Sequence, residues 1–406
     1  MGTTMYQYQV RDKAGKIVTG TIEADSQAAV AQKLSSLGYA TVTITEHKAG
    51  MKTELRIPGF GGSVKLKDIA VMSRQFATMI GAGLSLMRAL NILSEQTPNK
   101  TLAGVLSEVR NSVENGNALS GALAEHPAVF PPLMVNMVRA GEVGGFLDGV
   151  LLRIAANYEE EVRLKGKIKS AMTYPVVVFV MALLAVTGML LFIVPIFAKM
   201  FEGLGADLPA PTLLLVKLSD LLKMGFIPIA IGLIAFVIIW KKVKHKEQVR
   251  NVLDPLKLKI PVFGPLFQKI ALSRFTRNFG TMLHAGVPIL QSLDIVADTS
   301  GNVVVARAVR DVQDSVRNGE SLTEPLTHHA IFPPMVVQML AVGEDTGALD
   351  AMLEKISEFY DQEVESTTES LTALIEPLMI AVLGGLVGSM IIALYMPIFK
   401  VFDLIK

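Results

Sequence analysis

Residues 140–148 read AGEVGGFLD, and residues 342–350 read VGEDTGALD. Gly141, Glu142, Gly145 and Asp148 of the first stretch are answered by Gly343, Glu344, Gly347 and Asp350 of the second. Two carboxylates beside two glycines fit three readings: an active site, a divalent-cation site, or a stiff turn between helices. In the turn reading Gly141 stops one helix and Asp148 stands in the first turn of the next, where its charge suits the macrodipole. Glu142 then accepts hydrogen bonds from free amide groups. In the cation reading Glu142, Asp148, Glu344 and Asp350 offer hard oxygen ligands, though two carboxylates fall short of a full shell. A catalytic acid–base pair needs a pocket and split pKa values, and a sequence displays neither.

The nonapeptide belongs to a longer duplication. Arg74 and Phe76 match Arg277 and Phe279, Ala82-Gly83 matches Ala285-Gly286, and Asn115-Gly116 matches Asn318-Gly319, each 203 positions on. After a one-residue slip the offset is 202: Phe130-Pro131-Pro132 matches Phe332-Pro333-Pro334, Tyr158 matches Tyr360, and Pro195-Ile196-Phe197 matches Pro397-Ile398-Phe399. Apolar residues at 147, 150, 151, 154 and 158 make a helical stripe, and the stripe returns at 349, 352, 353, 356 and 360. Gly83, Gly116 and Gly141 mark helix ends, and Pro131-Pro132 and Pro288 mark helix starts. The stops and starts predict about six helices per repeat, joined by short loops.

Composition places part of the chain in lipid. Of its 406 residues 51% are hydrophobic and 18% charged, with a mean hydropathy of +0.45, whereas ordinary soluble domains carry about 25% charged residues. Three uncharged runs, within 171–198, 222–240 and 374–399, are predicted to span a membrane. Arg163, Lys165, Lys167 and Lys169 before the first run, and Lys241, Lys242, Lys244, Lys246 and Arg250 after the second, orient both flanks inward. The N-terminus and 241–373 are then cytoplasmic, while the 199–221 loop and the 400–406 tail are external. The second run returns the chain inside, so the two repeats stand in parallel: 64–170 and 241–373 are the helical bundles.

The first residues read differently. YQYQV, a turn at Asp12–Gly15 and KIVTGTIEA predict a hairpin; Asp25-Ser26 caps a helix through Leu37, and ATVTIT is a third strand. The expectation is a small α+β domain over 1–46 and a linker over 47–63. MGTTMYQYQV carries no apolar run behind a basic cap, so no cleavable signal is expected there.

Several chemistries find no support. The 38 Lys and Arg balance the 37 Asp and Glu, which gives no footprint for nucleic acid. Without cysteine there are no disulfides or thiolate ligands. No GxxxxGK[ST] or HExxH motif occurs, and His328-His329 reads as a solvated turn, so no cofactor is expected. The acidic clusters Glu159-Glu160-Glu161 and Asp361, Glu363, Glu365 are either a solvated helix face or a docking face for a basic partner. Gly384 and Gly388 form a GxxxG step for membrane helix packing, within the chain or between protomers. A solute transporter would need polar or broken helices at mid-membrane, and Thr187 and Ser389 offer little; a membrane enzyme ranks below that.

The stretches SRQFATMIGAGLSLMRAL at 73–90, FPPLMVNMVRAGEVGGFLD at 130–148, IPVFGPLFQKIALSRFTRNFGTMLHAGVPILQSL at 260–293 and VGEDTGALD at 342–350 carry a resemblance. The chain resembles the inner-membrane platform proteins of type IV pilus and type II secretion machines, the PilC and GspF family, over nearly its whole length. The first stretch looks more like the pilus branch. This resemblance implies a non-enzymatic scaffold in the bacterial inner membrane. Its implied partners are a cytoplasmic hexameric assembly ATPase, pilin or pseudopilin subunits and other inner-membrane assembly proteins, and a homo-oligomer is expected.

Overall fold

The computed structural model describes residues 4–11, 17–24, 26–36, 40–46, 63–203, 208–244 and 246–404. The chain divides into two units, Met1–Ser63 and Val64–Lys406. In the first, strands β1 (Thr4–Arg11), β2 (Ile17–Ala24) and β3 (Ala40–Glu46) form an antiparallel sheet in the order β2-β1-β3, with a register shift at Gln9/Val10. Helix α1 (Gln27–Ser36) begins where the Ser26 hydroxyl accepts from the Ala29 amide at 3.3 Å, and it buries Val30 and Leu34 at i,i+4 spacing. The expected turn at Asp12–Gly15, the cap at Asp25 and nearly all of the linker lie outside the described residues.

The second unit is helical throughout its described residues. Its first repeat holds α2 (Leu66–Gly81), α3 (Leu86–Gln96), α4 (Lys100–Glu114), α5 (Leu119–Ala124), α6 (Pro132–Gly144) and α7 (Leu147–Gly188). A π-helical turn, Met189–Ile193, leads into α8 (Val194–Gly203), followed by α9 (Ala210–Val243) and α10 (Glu247–Lys259). The second repeat holds α11 (Phe263–His284), α12 (Ile289–Thr299), α13 (Val303–Arg317), α14 (Glu324–Thr327), α15 (Pro334–Thr346) and α16 (Leu349–Leu404). Helices α2 to α7 correspond in order to α11 to α16.

Local chemistry explains these boundaries. Asn99 accepts from the Thr101 and Leu102 amides to open α4, and Asn302 accepts from the Val304 amide to open α13. Both α6 and α15 start on a proline pair, whose missing N–H costs nothing in a first turn. The stripe of α13 buries Val305, Ala308, Val309 and Val312. One apolar core runs through both repeats, taking Phe76, Phe130 and Ile154 from the first and Phe275, Phe279 and Ile356 from the second. The predicted pair of bundles therefore packs as one continuous helical body.

Two helical stretches among the described residues, Leu147–Met200 and Leu349–Pro397, are long and apolar enough to cross a membrane. Neither breaks where its apolar run begins: α7 and α16 continue from the nonapeptide turn through the basic or acidic segment into that run. Helix α9 likewise starts at Ala210, inside the predicted 199–221 loop, because Pro209 accepts the Leu213 amide and sets the first turn. An uncharged run marks where lipid is tolerated, and caps mark where the helix starts; the two need not coincide.

Candidate functional site

The repeated nonapeptide folds as the corner between α6 and α7, and again between α15 and α16. The two glycines that recur in both copies do different jobs. The expected stop at Gly141 is one turn too early: α6 runs on to Gly144, and the left-handed residue is Gly145 (φ 75°), as it is Gly347 (φ 71°) in the second corner. A φ in this range penalises any Cβ, so this is the αL cap. Gly141 and Gly343 instead let the two helices touch. A Cβ on Gly141 would stand 3.0 Å from Val150 Cγ2 and 3.2 Å from Leu147 Cα, and one on Gly343 would stand 3.0 Å from Leu349 Cα.

The two glutamates bind the polypeptide itself. Glu142 accepts from the Leu119 amide at 2.6 Å and the Ser120 amide at 3.0 Å, the free donors at the start of α5. Glu344 does the same before α14, accepting from the Leu322 amide at 2.7 Å and from the Ser321 and Thr323 hydroxyls at 3.0 and 3.1 Å. Each glutamate thus ties a short helix or turn to the long helical hairpin. Asp148 and Asp350 stand in the first turns of α7 and α16, and Asp350 also meets His284 Nδ1 at 3.2 Å. Among the described residues no group of three or more His, Asp or Glu gathers as a metal site. The hydrogen bonds of Glu142 and Glu344 give the turn reading a mechanism.

The acidic clusters take part in ion pairs, while Glu159, Glu160 and Glu363 keep their side chains partly in solvent. They lock α7 and α16 to their neighbours and to one another. Arg74 on α2 holds Glu159 on α7, while Arg277 on α11 holds Asp361 on α16 and Ser273 donates to the same carboxylate at 2.6 Å. Lys269 donates to Glu363 at 2.7 Å. Between repeats, Arg274 donates to Glu161 at 3.0 Å, and both Arg163 and Lys167 of α7 reach Glu365 of α16. Lys167, with Arg163, holds the Glu365 carboxyl below its ordinary range, and Arg74 does the same for Glu159. Burial pushes the Tyr158 hydroxyl up, with Glu161 adding to it, so this residue stays neutral within the seam. A cleft of about 390 Å³ opens along the seam, lined among others by Arg153, Asn157, Arg277, His284, Glu354 and Asp361. Sequence periodicity placed these charges off the apolar stripe and gave no means of seeing that a second repeat would cover them.

Farther along, α9 lies against both apolar helices. The Thr212 hydroxyl donates to the Ala393 carbonyl, and Ser219 donates to the Leu190 carbonyl at 2.6 Å; both side chains are buried. These carbonyls lack helical partners for one reason. Ala393 stands four residues before Pro397, and in the π register, where Val194 N–H reaches Met189, the partner of Leu190 would be Pro195. The repeated Pro-Ile-Phe thus creates an orphan acceptor in each repeat, and α9 supplies a hydroxyl to each. Gly384 and Gly388 take no part in this contact, since a Cβ on either meets nothing within 4 Å.

Comparison with known proteins matches this architecture. The family model described as type II secretion system (T2SS), protein F, fits twice, over residues 72–195 and 275–397, which are the two repeats with their apolar helices. The model for the N-terminal domain of type II secretion system protein F fits residues 3–45. The type IV pilus assembly protein PilC of Myxococcus xanthus is 43% identical over 98% of this chain and 95% of its own length. The protein of the same name from Thermus thermophilus is 44% identical over 98% of each. The type II secretion system protein F of Vibrio cholerae is 31% identical over 99% of each.

Proposed function

The chain belongs to the type II secretion system protein F family, and from that membership we propose that it is the non-enzymatic inner-membrane platform of a type IV pilus assembly system. The higher identity to proteins named for pilus assembly, 43–44% against 31% for the Vibrio secretion protein, favours the pilus branch. In this reading α7, α9 and α16 supply three spans, the sheet unit at the N-terminus is a small α+β domain, and the N-terminus and the second repeat are cytoplasmic. A cytoplasmic assembly ATPase engages the cytoplasmic helices, and pilin subunits pass from the bilayer into the filament.

One observation carries the mechanism. Helices α7 and α16 each run unbroken from a cytoplasmic corner into an apolar segment, and Arg163 and Lys167 tie them together through Glu365. Rotation or tilt imposed on the cytoplasmic body is then delivered to both spans at once, because a continuous helix transmits torque that a loop would absorb. Inserting Gly-Gly-Ser after Gly166 in α7 should leave ATPase association intact and abolish filament assembly. Normal filaments from that variant would end the coupling idea. Gentle solubilisation of a tagged chain, with mass spectrometry of what co-purifies, tests the platform itself. An assembly ATPase with a pilin supports the reading, a pseudopilin moves it to the secretion branch, and a chain recovered alone from an active host refutes it.

A further inference from the structure

Within the chain, α6 of the first repeat lies on the α11–α12 turn of the second. Gln291 Nε2 donates to Asn136 Oδ1 at 2.9 Å, and the Phe146 ring comes within 3.6 Å of where a Cβ on Gly286 would stand. On this stretch of α6, Leu133 is 5% exposed and Met137 is fully buried. The equivalent helix, α15, packs chiefly on α14 and α16 of its own repeat. Met335, the counterpart of Leu133, is 39% exposed, and Val342, the counterpart of Ala140, is 54% exposed. With half-buried Met339 they form an i, i+4, i+7 apolar stripe.

The receiving surface is likewise duplicated and open. Ala285 at the α11–α12 turn and Ile295 on α12 are buried, whereas their counterparts, Ala82 at the α2–α3 turn and Ile92 on α3, are exposed and half-buried. Arg88 stands at the position of Gln291 and is exposed. One chain therefore carries a used pair of surfaces between its repeats and an unused pair of the same descent.

We propose that the unused pair is an interface between two copies of this chain, with α15 of one seated on the α2–α3 turn of the next. A second copy is the occupant because it presents, at its α2–α3 turn, the counterpart of the surface that the equivalent helix α6 already binds within the chain. The stripe is also apolar on a helix whose other outward positions include Gln338 and Asp345. Such a head-to-tail contact leaves one surface of each kind free at the ends and continues until the assembly closes as a ring. This interface goes beyond the platform reading, and its test uses no filament or ATPase.

The chain has no cysteine, so introduced thiols are its only ones. Arg88→Cys and Gln338→Cys occupy the counterparts of Gln291 and Asn136. The span of two such side chains calls for a short bis-maleimide, since a disulfide needs Cα atoms within about 7 Å. Two differently tagged full-length chains, each with one of these cysteines, are co-expressed and cross-linked in native membranes. The expected product is a dimer bearing both tags, lost when Met335→Asp and Val342→Asp are added to the Gln338→Cys chain. A chain with both Asn136→Cys and Gln291→Cys, which should link internally, checks reagent access and folding. With that control positive, three results overturn the proposal: no dimer, dimers of one tag only, or a mixed dimer indifferent to the aspartates.

Discussion

The pair Arg74–Glu159 in the first repeat and the pair Arg277–Asp361 in the second occupy equivalent positions, yet their surroundings differ. The first pair has side chains 38% and 42% exposed, and the second pair 10% and 10%. The same two helices meet in the same way in both repeats; what differs is whether the neighbouring repeat lies over the contact. Duplication supplied one interaction, and packing gave the two copies different energetic weights.

The sharpest test of this contrast is to remove each arginine. Arg277→Met leaves Asp361 largely out of water without its cation, a loss on the order of 3–5 kcal/mol for a buried pair. Arg74→Met should cost about 1 kcal/mol or less, as exposed pairs do. Thermal unfolding in detergent reads the difference, and equal losses would mean that burial does not divide the repeats.

A smaller contrast concerns the corner glutamates. Glu344→Ala should destabilise by about 2–3 kcal/mol and Glu142→Ala by about 1–2 kcal/mol, because the first abandons an amide and two hydroxyls and the second abandons two amides. Proteolysis at the α5 or α14 segment would report which short helix has come loose. By comparison, Gly141→Ala and Gly343→Ala should be alike, each costing about 1–3 kcal/mol through overpacking, since both meet a backbone Cα across the corner. A clear inequality between the two glycines would show that the corners are not equivalent.

The smallest effect is on pH. The Glu365 carboxyl is held below its ordinary 4.5 by Lys167 and Arg163. A depressed carboxylate adds stability that is present above 4.5 and fades as the pH falls through the folded value. Because these partners are partly exposed, the term is about 1 kcal/mol or less. The Glu365→Gln variant should unfold at a lower temperature than the parent at pH 7, and the gap should close as the pH falls below 4.5 and through the folded value. A constant gap across that range would place the role of Glu365 outside its charge.

Much of this architecture is readable from residues that act locally. The duplicated spacing, the proline pairs at 131–132 and 333–334 and the Asn99 cap each announce an element through their own backbone chemistry. Even so, the sequence alone puts the corner four residues early, because glycine serves equally well for a left-handed cap and for a close approach, and only the neighbour distinguishes Gly141 from Gly145. The pattern predicts that Glu142 accepts amide hydrogens; that the amides belong to α5, some twenty residues upstream, depends on tertiary packing. The seam charges were hidden for the same reason. A stripe analysis sorts residues as facing or avoiding their own bundle, and Glu161 and Glu365 face a different repeat.

Thr212 and Ser219 lie seven residues apart on α9, almost two full turns, so both hydroxyls project along one edge. They act as two teeth of a key, one in the gap left by each repeat's proline. Sliding α9 by a single turn withdraws both teeth together and leaves two carbonyls bare in an apolar layer. The helix that belongs to neither repeat therefore sets how far one repeat's shaft stands above the other. Any stroke that shifted the two shafts past each other would first have to unlock it.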